Sequence, residues 1–358
     1  VSRFPVHAVA RGTAARGVGT TCAALVGVKR MVLRAPRPAH ERPLELEEVP
    51  DPAPGPDEIV LAVEACAVCR TDLQLAEGDL SARRLPIVPG HQVVGRVVAV
   101  GDRTDGWSVG DRAALGWLAH ACGVCNSCRT GRENLCERAR FTGWDSDGGF
   151  ATRVVAKAAF AFPLPPRFEP IEAAPLLCGG VIGYRSLERA RVEPGARVGL
   201  YGFGASALLA LQVARHWSCR VFVATRSTAE QERARAMGAE WAGGYGDLPP
   251  EPLDAAITFA PVGDVVVCAL RAVERGATVA INAIHLDRIP PFSYDLLWWE
   301  RSLVSVSNYT RCDARRLLDL ADEIPLRTRL ERHPLEAANE ALLRLREGKV
   351  GGAAVLVT

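Results

Sequence analysis

Residues 197–217 read RVGLYGFGASALLALQVARHW: a short apolar run, two closely spaced glycines, then a stretch with the apolar spacing of a helix. Gly202, Gly204 and Ala207 fit the pattern G-x-G-x-x-A in the turn between strand and helix. The first glycine permits a tight turn and the second lets backbone approach a pyrophosphate. The small third residue lets helix and strand pack closely, and the helix N-terminus attracts phosphates. A glycine pattern alone is a weak signal, compatible with a bare tight turn. Here it has its strand, its helix and a second strand about twenty residues on, RVFVATR at 220–226. That strand closes on Thr225, Arg226 and Ser227, where an NAD site normally has an Asp or Glu for the ribose 2′-hydroxyl. A carboxylate repels a 2′-phosphate, whereas hydroxyls and an arginine bind it, so NADP is expected over NAD. The plainer reading of Arg226 is a solvated surface residue.

Downstream the alternation continues. Helix TAEQERARAMGA (228–239) leads to strand LDAAITFA (253–260), helix GDVVVCALRAVERG (263–276), and strands ATVAINAI (277–284) and SLVSVSN (302–308). Strands alternating with helices of about a dozen residues predict parallel βαβ units. Upstream, residues 28–115 hold short β-rich runs broken by proline and glycine: VKRMVLRAP, PLELEEVP, DEIVLAVEACAV, QVVGRVVAVG and GDRAALG. These predict a compact all-β unit. The tail offers helices at 313–324 and 334–348 and a closing strand GGAAVLV at 351–357.

At 358 residues the chain exceeds a usual single domain, so two domains and a sizeable core are expected. A formal net charge of +2 argues against a nucleic-acid-binding surface, and no apolar run is long enough to span a membrane. Eleven cysteines, odd in number and clustered, read as metal sites in a reducing compartment rather than as disulfides, with the cytoplasm as default location. From Val1 to His40 there is no acidic residue but seven Arg and Lys. Such a leader has the composition of a transit peptide. The plainer expectation is a disordered N-terminal extension over 1–27, with the fold beginning near Met31.

Residues 121–136, ACGVCNSCRTGRENLC, carry Cys122, Cys125, Cys128 and Cys136 as C-x2-C-x2-C-x7-C. Four thiolates this close can complete a tetrahedron around zinc and leave no position for a substrate. An iron–sulfur cluster is the rival, although ferredoxin-type runs continue with a shorter spacer and a Cys-Pro. A second set is scattered: Cys66 and Cys69 in ACAVCRTDLQ, His91 in VPGHQVVG and Cys178 in APLLCGG. Two cysteines and a histidine are a ligand set for catalytic zinc, with the fourth place left to water or substrate. Singly each has a duller reading, as a core thiol, a turn histidine or a redox C-x-x-C pair.

CRTDL, PGH, VGDR, the four-cysteine run, DGGFATRVV, APLLCGG and YGFGASA, in this order, resemble the zinc-dependent medium-chain alcohol dehydrogenases. The resemblance runs from about residue 28 to the C-terminus, with a softer likeness to a bacterial, propanol-preferring branch. It implies an α/β chain in two parts: a GroES-like β-barrel catalytic domain over 28–180 and 311–358, and a Rossmann doubly wound domain over 181–310. It implies two zincs per chain, the catalytic one held by Cys69, His91 and Cys178, the structural one by Cys122, Cys125, Cys128 and Cys136. Thr71 would hydrogen-bond the substrate oxygen, Asp72 would orient His91, Arg70 would contact the cofactor pyrophosphate and Trp117 would narrow the substrate pocket. Cys66 would be a packed strand residue. The activity implied is interconversion of small alcohols and aldehydes by a dimer or tetramer. Polyols, formaldehyde adducts or quinones on the same fold, and a zinc-stabilised binding module, are the alternatives.

The chain departs from the family pattern at four points. Gln92 replaces the usual Glu after the ligand histidine, and Gln74 stands where a histidine commonly ends the proton relay. Ala353 replaces an arginine that relatives use for cofactor phosphates, and His285 follows the strand expected near the nicotinamide, more simply read as a loop residue.

Overall fold

Six strands form one sheet in which every pairing is parallel, in the spatial order Trp241–Gly243, Arg220–Ala224, Arg197–Tyr201, Leu253–Thr258, Val273–Ile281, Ser302–Ser305. The coordinates are a computed structural model and describe residues 27–283 and 286–358. The expected extension before residue 28 falls, but for Gly27, outside the described residues, as does His285. Alternate side chains of the sheet enter two separate cores. Val198, Leu200, Val221 and Val223 pack with the helices Gly179–Arg189 and Ala205–His216, while Tyr201, Phe222 and Ala256 pack with Gly263–Ala272. Burial on both faces is why these strands read as unbroken apolar runs. The strand order reverses direction beside Arg197–Tyr201, so the glycine loop opens at the switch point where α/β sheets bind ligands.

The second sheet runs Leu330–Pro334, Ala353–Val357, Glu58–Val68, Gln92–Val100, Arg112–Leu115, Ala161–Pro163, antiparallel except for its first pair. Glu58–Val68 is the organiser. Two register shifts bend it, so its first half also pairs with Arg153–Lys157 and its second half with the C-terminal strand. That pairing returns the end of the chain to the sheet that carries Cys66 and Cys69. A short hairpin, Leu118–His120 with Arg140–Phe141, projects the four-cysteine run as a separate lobe.

Three sequence expectations need correction. The all-β reading of 28–115 misses the helix Arg70–Glu77, which ends at Gly78 in the left-handed conformation with φ +91°. The helix read over 263–276 stops at Ala272, and Val273–Ile281 is one continuous strand whose first residue pairs with Leu253 across a bulge. The helix Gly179–Arg189, immediately after Cys178, was not anticipated.

Candidate active site and cofactor loop

Cys69 ends a strand and starts a helix. Its thiol accepts the Thr71 N–H at 3.3 Å while the Asp72 carboxylate accepts the Cys69 N–H at 2.9 Å, a reciprocal cap. The thiol therefore sits at a helix N-terminus, where the local field favours thiolate. His91 follows Gly90, whose φ is +97° and where a Cβ would lie 2.5 Å from the Phe150 ring and 2.9 Å from Cys66 Sγ. Only glycine makes that turn. Asp72 then does a second job: its Oδ1 accepts the Gly90 N–H at 3.1 Å and lies 3.2 Å from His91 Nδ1. With Nδ1 engaged, Nε2 is left facing Cys69 Sγ at 3.3 Å. Cys178 completes the group as the residue preceding the helix Gly179–Arg189, and the three ligand atoms lie within 4.8 Å of one another.

The electrostatics suit a cation. The Cys178 thiol bonds the Cys69 sulfur and, with His91, holds Cys69 well below the usual thiol range, while the same bond and burial push Cys178 well up. Burial raises the Asp72 carboxyl. Burial also opposes protonation of His91, but the charges of Cys69 and Asp72 outweigh it and raise the imidazole well above its ordinary value. Two soft sulfurs and an oriented imidazole on a 2+ ion relieve this crowding of negative charge, so the donor set fits zinc. Cys66 is not in the group: it is fully buried under Gly90 and Gly149, and burial pushes its thiol up. Gln92 is buried with its amide donating to the Ala67 carbonyl at 3.2 Å, tied to the strand rather than free.

Cys122, Cys125, Cys128 and Cys136 also bring their sulfurs within 4.8 Å of one another. Backbone amides arm them: the Val124 and Cys125 N–H groups lower Cys122 to about 5, whereas burial and the neighbouring thiol Cys125 raise Cys128 to about 12. The lobe is fastened to the segment after the parallel sheet. Arg311 grips Glu133 with Nε at 3.0 Å and Nη2 at 2.6 Å, and Asn134 Nδ2 donates to the Ser307 carbonyl at 2.6 Å.

Aromatic rings pack against the first site. The Trp117 ring meets His91 edge-on with centroids 4.9 Å apart, and Phe141 and Trp144 stack on Trp117 at 5.0 and 5.7 Å. Arg83 lies 3.8 Å over Trp144 and bonds Asp145 at 3.1 and 3.2 Å, while Trp144 Nε1 donates to the Ser81 carbonyl at 2.9 Å. Trp117 was expected from sequence. Phe141, Trp144 and Arg83 were not, since no spacing links the loop at 81–83 to FTGW at 141–144. Thr71 is half-buried in the first turn after Cys69, and Arg70 beside it is exposed.

In the glycine loop, Gly202 has φ +95°, and a Cβ on Gly204 would meet no atom within 4 Å. Gly204 precedes the helix Ala205–His216 without any side-chain cap, so its first amides are free for an anion, and Ala207 is buried where helix meets strand. An open backbone and an uncapped twelve-residue helix fit a dinucleotide pyrophosphate. Thr225 and Arg226 follow directly on the second strand, which stops at Ala224, with Thr225 buried and Arg226 exposed. A carboxylate does lie near this strand end, although not at the position an NAD site normally uses. Glu230, from the first turn of the next helix, accepts the Thr225 hydroxyl at 2.5 Å. Ala353 lies buried at the start of the C-terminal strand.

With this geometry in view, the comparisons agree. The profile of the family described as "Alcohol dehydrogenase GroES-like domain" matches residues 55–166. The chain is 46% identical over 331 residues to "Probable alcohol dehydrogenase AdhA" of Mycobacterium tuberculosis (strain CDC 1551 / Oshkosh), covering 91% of this chain and 96% of that one. It is 34% identical over 327 residues to an alcohol dehydrogenase of Geobacillus stearothermophilus, covering 88% and 96%. Among solved structures, AibC superimposes with a TM-score of 0.87 at 28% identity, covering 96% of this chain and 99% of that chain. An NAD-dependent alcohol dehydrogenase gives 0.81 at 25%, covering 92% and 99%. The chain belongs to the zinc-dependent medium-chain alcohol dehydrogenase family and is an NAD(P)-dependent alcohol dehydrogenase with two candidate zinc sites.

Proposed function

We propose that this enzyme interconverts small primary alcohols and aldehydes in the cleft bounded by Cys69, His91, Cys178 and the Trp117 wall. The observation that carries the reading is a group of three donors, Cys69, His91 and Cys178, with no fourth donor grouped with them among the described residues and with Trp117 edge-on to His91. When bound, zinc supplies a Lewis acid that acidifies the alcohol, and the nicotinamide exchanges a hydride with its carbon. Cys69, His91 and Cys178 hold that zinc, and Asp72 fixes the His91 tautomer. The Thr71 hydroxyl accepts the hydrogen bond of the alcohol and passes its proton outward. Gln74 cannot take it, because an amide is no base near neutral pH, so the proton reaches water. Trp117, Phe141 and Trp144 exclude solvent from the reacting carbon. Cys122, Cys125, Cys128 and Cys136 hold a second zinc with no chemical step. Gly202, Gly204 and Ala207 would receive the cofactor pyrophosphate, with Arg70 reaching it, and the exposed Arg226, taken alone, would favour NADP.

The catalytic part comprises 28–180 with 311–358 and the Rossmann part 181–310. Among the described residues no helix is long and apolar enough to cross a membrane. A reducing, cytoplasmic setting is supported by the gathering of six cysteines and a histidine, among the described residues, into two donor groups suited to metal. Self-association as a dimer or tetramer is supported by the sheet edge at Ser302–Ser305, flanked by the exposed aromatics Tyr294, Trp298 and Trp299.

The three stacked rings favour a second, narrower reading, a preference for planar aromatic alcohols over ethanol. Zinc-replete enzyme assayed for reduced nicotinamide with ethanol, propanol, butanol and benzyl alcohol tests both. Turnover is expected with the set, with benzyl alcohol leading in kcat/KM if the rings set specificity. Zinc-loaded enzyme inactive on all four would overturn the small-alcohol reading.

A further inference from the structure

We infer that Glu230 is the residue that selects the cofactor, and that it selects NAD. This rests on the reading of Gly202–Ala207 as the dinucleotide loop. Four contacts hold the Glu230 carboxylate and its helix against the end of the second strand and the glycine loop, beside which the adenosine ribose of a bound cofactor would lie. The Thr225 hydroxyl, buried at the end of the second strand, donates to Glu230 Oε2 at 2.5 Å and so fixes one oxygen. Ser227 caps the helix Thr228–Ala236 by accepting the Glu230 N–H at 3.3 Å. Gln231 Nε2 donates to the Thr225 carbonyl at 2.8 Å, clamping the first turn to the strand end. Arg233, one turn further along the same helix face, donates from Nη2 to the Phe203 carbonyl at 2.7 Å, inside the glycine loop itself. The face that carries Glu230 is therefore the face that meets the cofactor loop.

A carboxylate on a strand end can only accept, and a ribose 2′-hydroxyl can donate to it. A 2′-phosphate offers acceptors and negative charge, so the same oxygen repels it. In this chain the acceptor comes from the following helix, and Thr225 acts as its positioning residue. Arg226 is exposed, and a solvated guanidinium attracts a phosphate weakly. Tyr245, half-buried beside Thr225 and Glu230, narrows the same corner. The half-buried carboxylate, anchored by Thr225, outweighs the exposed, screened cation and reverses the preference that Arg226 alone would give.

Direct binding tests this without turnover. Titration of the zinc-replete protein with NADH and with NADPH, followed by nicotinamide fluorescence, gives the two dissociation constants. The wild type is expected to hold NADH roughly tenfold or more tightly than NADPH. Glu230→Gln keeps the shape and removes the charge, and should move the ratio toward NADPH by roughly tenfold. Thr225→Val, which removes only the anchoring hydroxyl, should move it the same way by less. A wild type that prefers NADPH, or a ratio unmoved in Glu230→Gln, overturns the assignment. Binding of neither nucleotide would instead overturn the reading of the glycine loop and, with it, this inference.

Discussion

The four-cysteine lobe and the Cys69–His91–Cys178 cleft use the same soft donors to opposite ends. The lobe draws every ligand from one sixteen-residue run, 121–136, most of them half-exposed, and its sulfurs are met by amides of their own loop. The cleft draws its ligands from three distant elements, a helix cap, a glycine turn and the start of a second helix, and buries His91 to 1% exposure. Four local donors close a site, and the metal then shapes the chain around it. Three distant donors need the fold first, and the fold also sets Trp117 edge-on against one of them, His91. Local spacing builds a fastener; convergence of separate elements builds a site for chemistry.

The sharpest way to break this contrast is at Cys69. Cys69→Ser should lower kcat by roughly a thousandfold or more while melting temperature and circular dichroism stay near wild type. At the lobe the pattern should invert: Cys128→Ser should lower stability by several kcal/mol, read as a fall in melting temperature, with turnover of the surviving folded fraction largely retained. Asp72→Asn asks how far the cleft depends on orientation. It leaves all three ligands and should weaken cleft zinc affinity roughly tenfold to a hundredfold in a competition titration. The smallest effect belongs to the lobe's tether. Burial pushes the Glu133 carboxyl up, but its bonds to Arg311 outweigh that and hold it below the ordinary glutamate value. Its contribution is therefore complete above that value and fades as pH falls through the lower native one. Glu133→Gln should be about 1–2 kcal/mol less stable than wild type near neutral pH, with the gap closing in acid, followed by chemical denaturation.

Much of this was legible in the sequence, for reasons that differ by residue. The glycine loop and the four-cysteine run are local, so spacing alone exposes them. Val198, Leu200, Val221 and Val223 announce buried parallel strands because both faces are covered. The cleft ligands became readable through their short flanking motifs. The helix Arg70–Glu77 was hidden because it is eight residues long and capped by a cysteine, outside the usual cap set of Ser, Thr, Asp and Asn. The run Val265–Val267 and the residues after it read as one helix, yet cross-strand pairing claims Val273 onward. Glu230 looked ordinary, since an acid in a first helical turn is explained by the helix dipole. Its reach to Thr225 exists only in three dimensions, as does the stack of Arg83 on Trp144 and of Trp144 on Trp117.

The most direct measurement is zinc content together with turnover, by elemental analysis and reduced-nicotinamide formation, on wild type, Cys69→Ser and Cys128→Ser. Two zincs per wild-type chain are predicted, one for each donor group. Cys69→Ser should keep the lobe zinc and be inactive, and Cys128→Ser should keep the cleft zinc and turn over while folded. Loss of turnover only in Cys128→Ser, with Cys69→Ser active, would contradict the division of labour between the two sites.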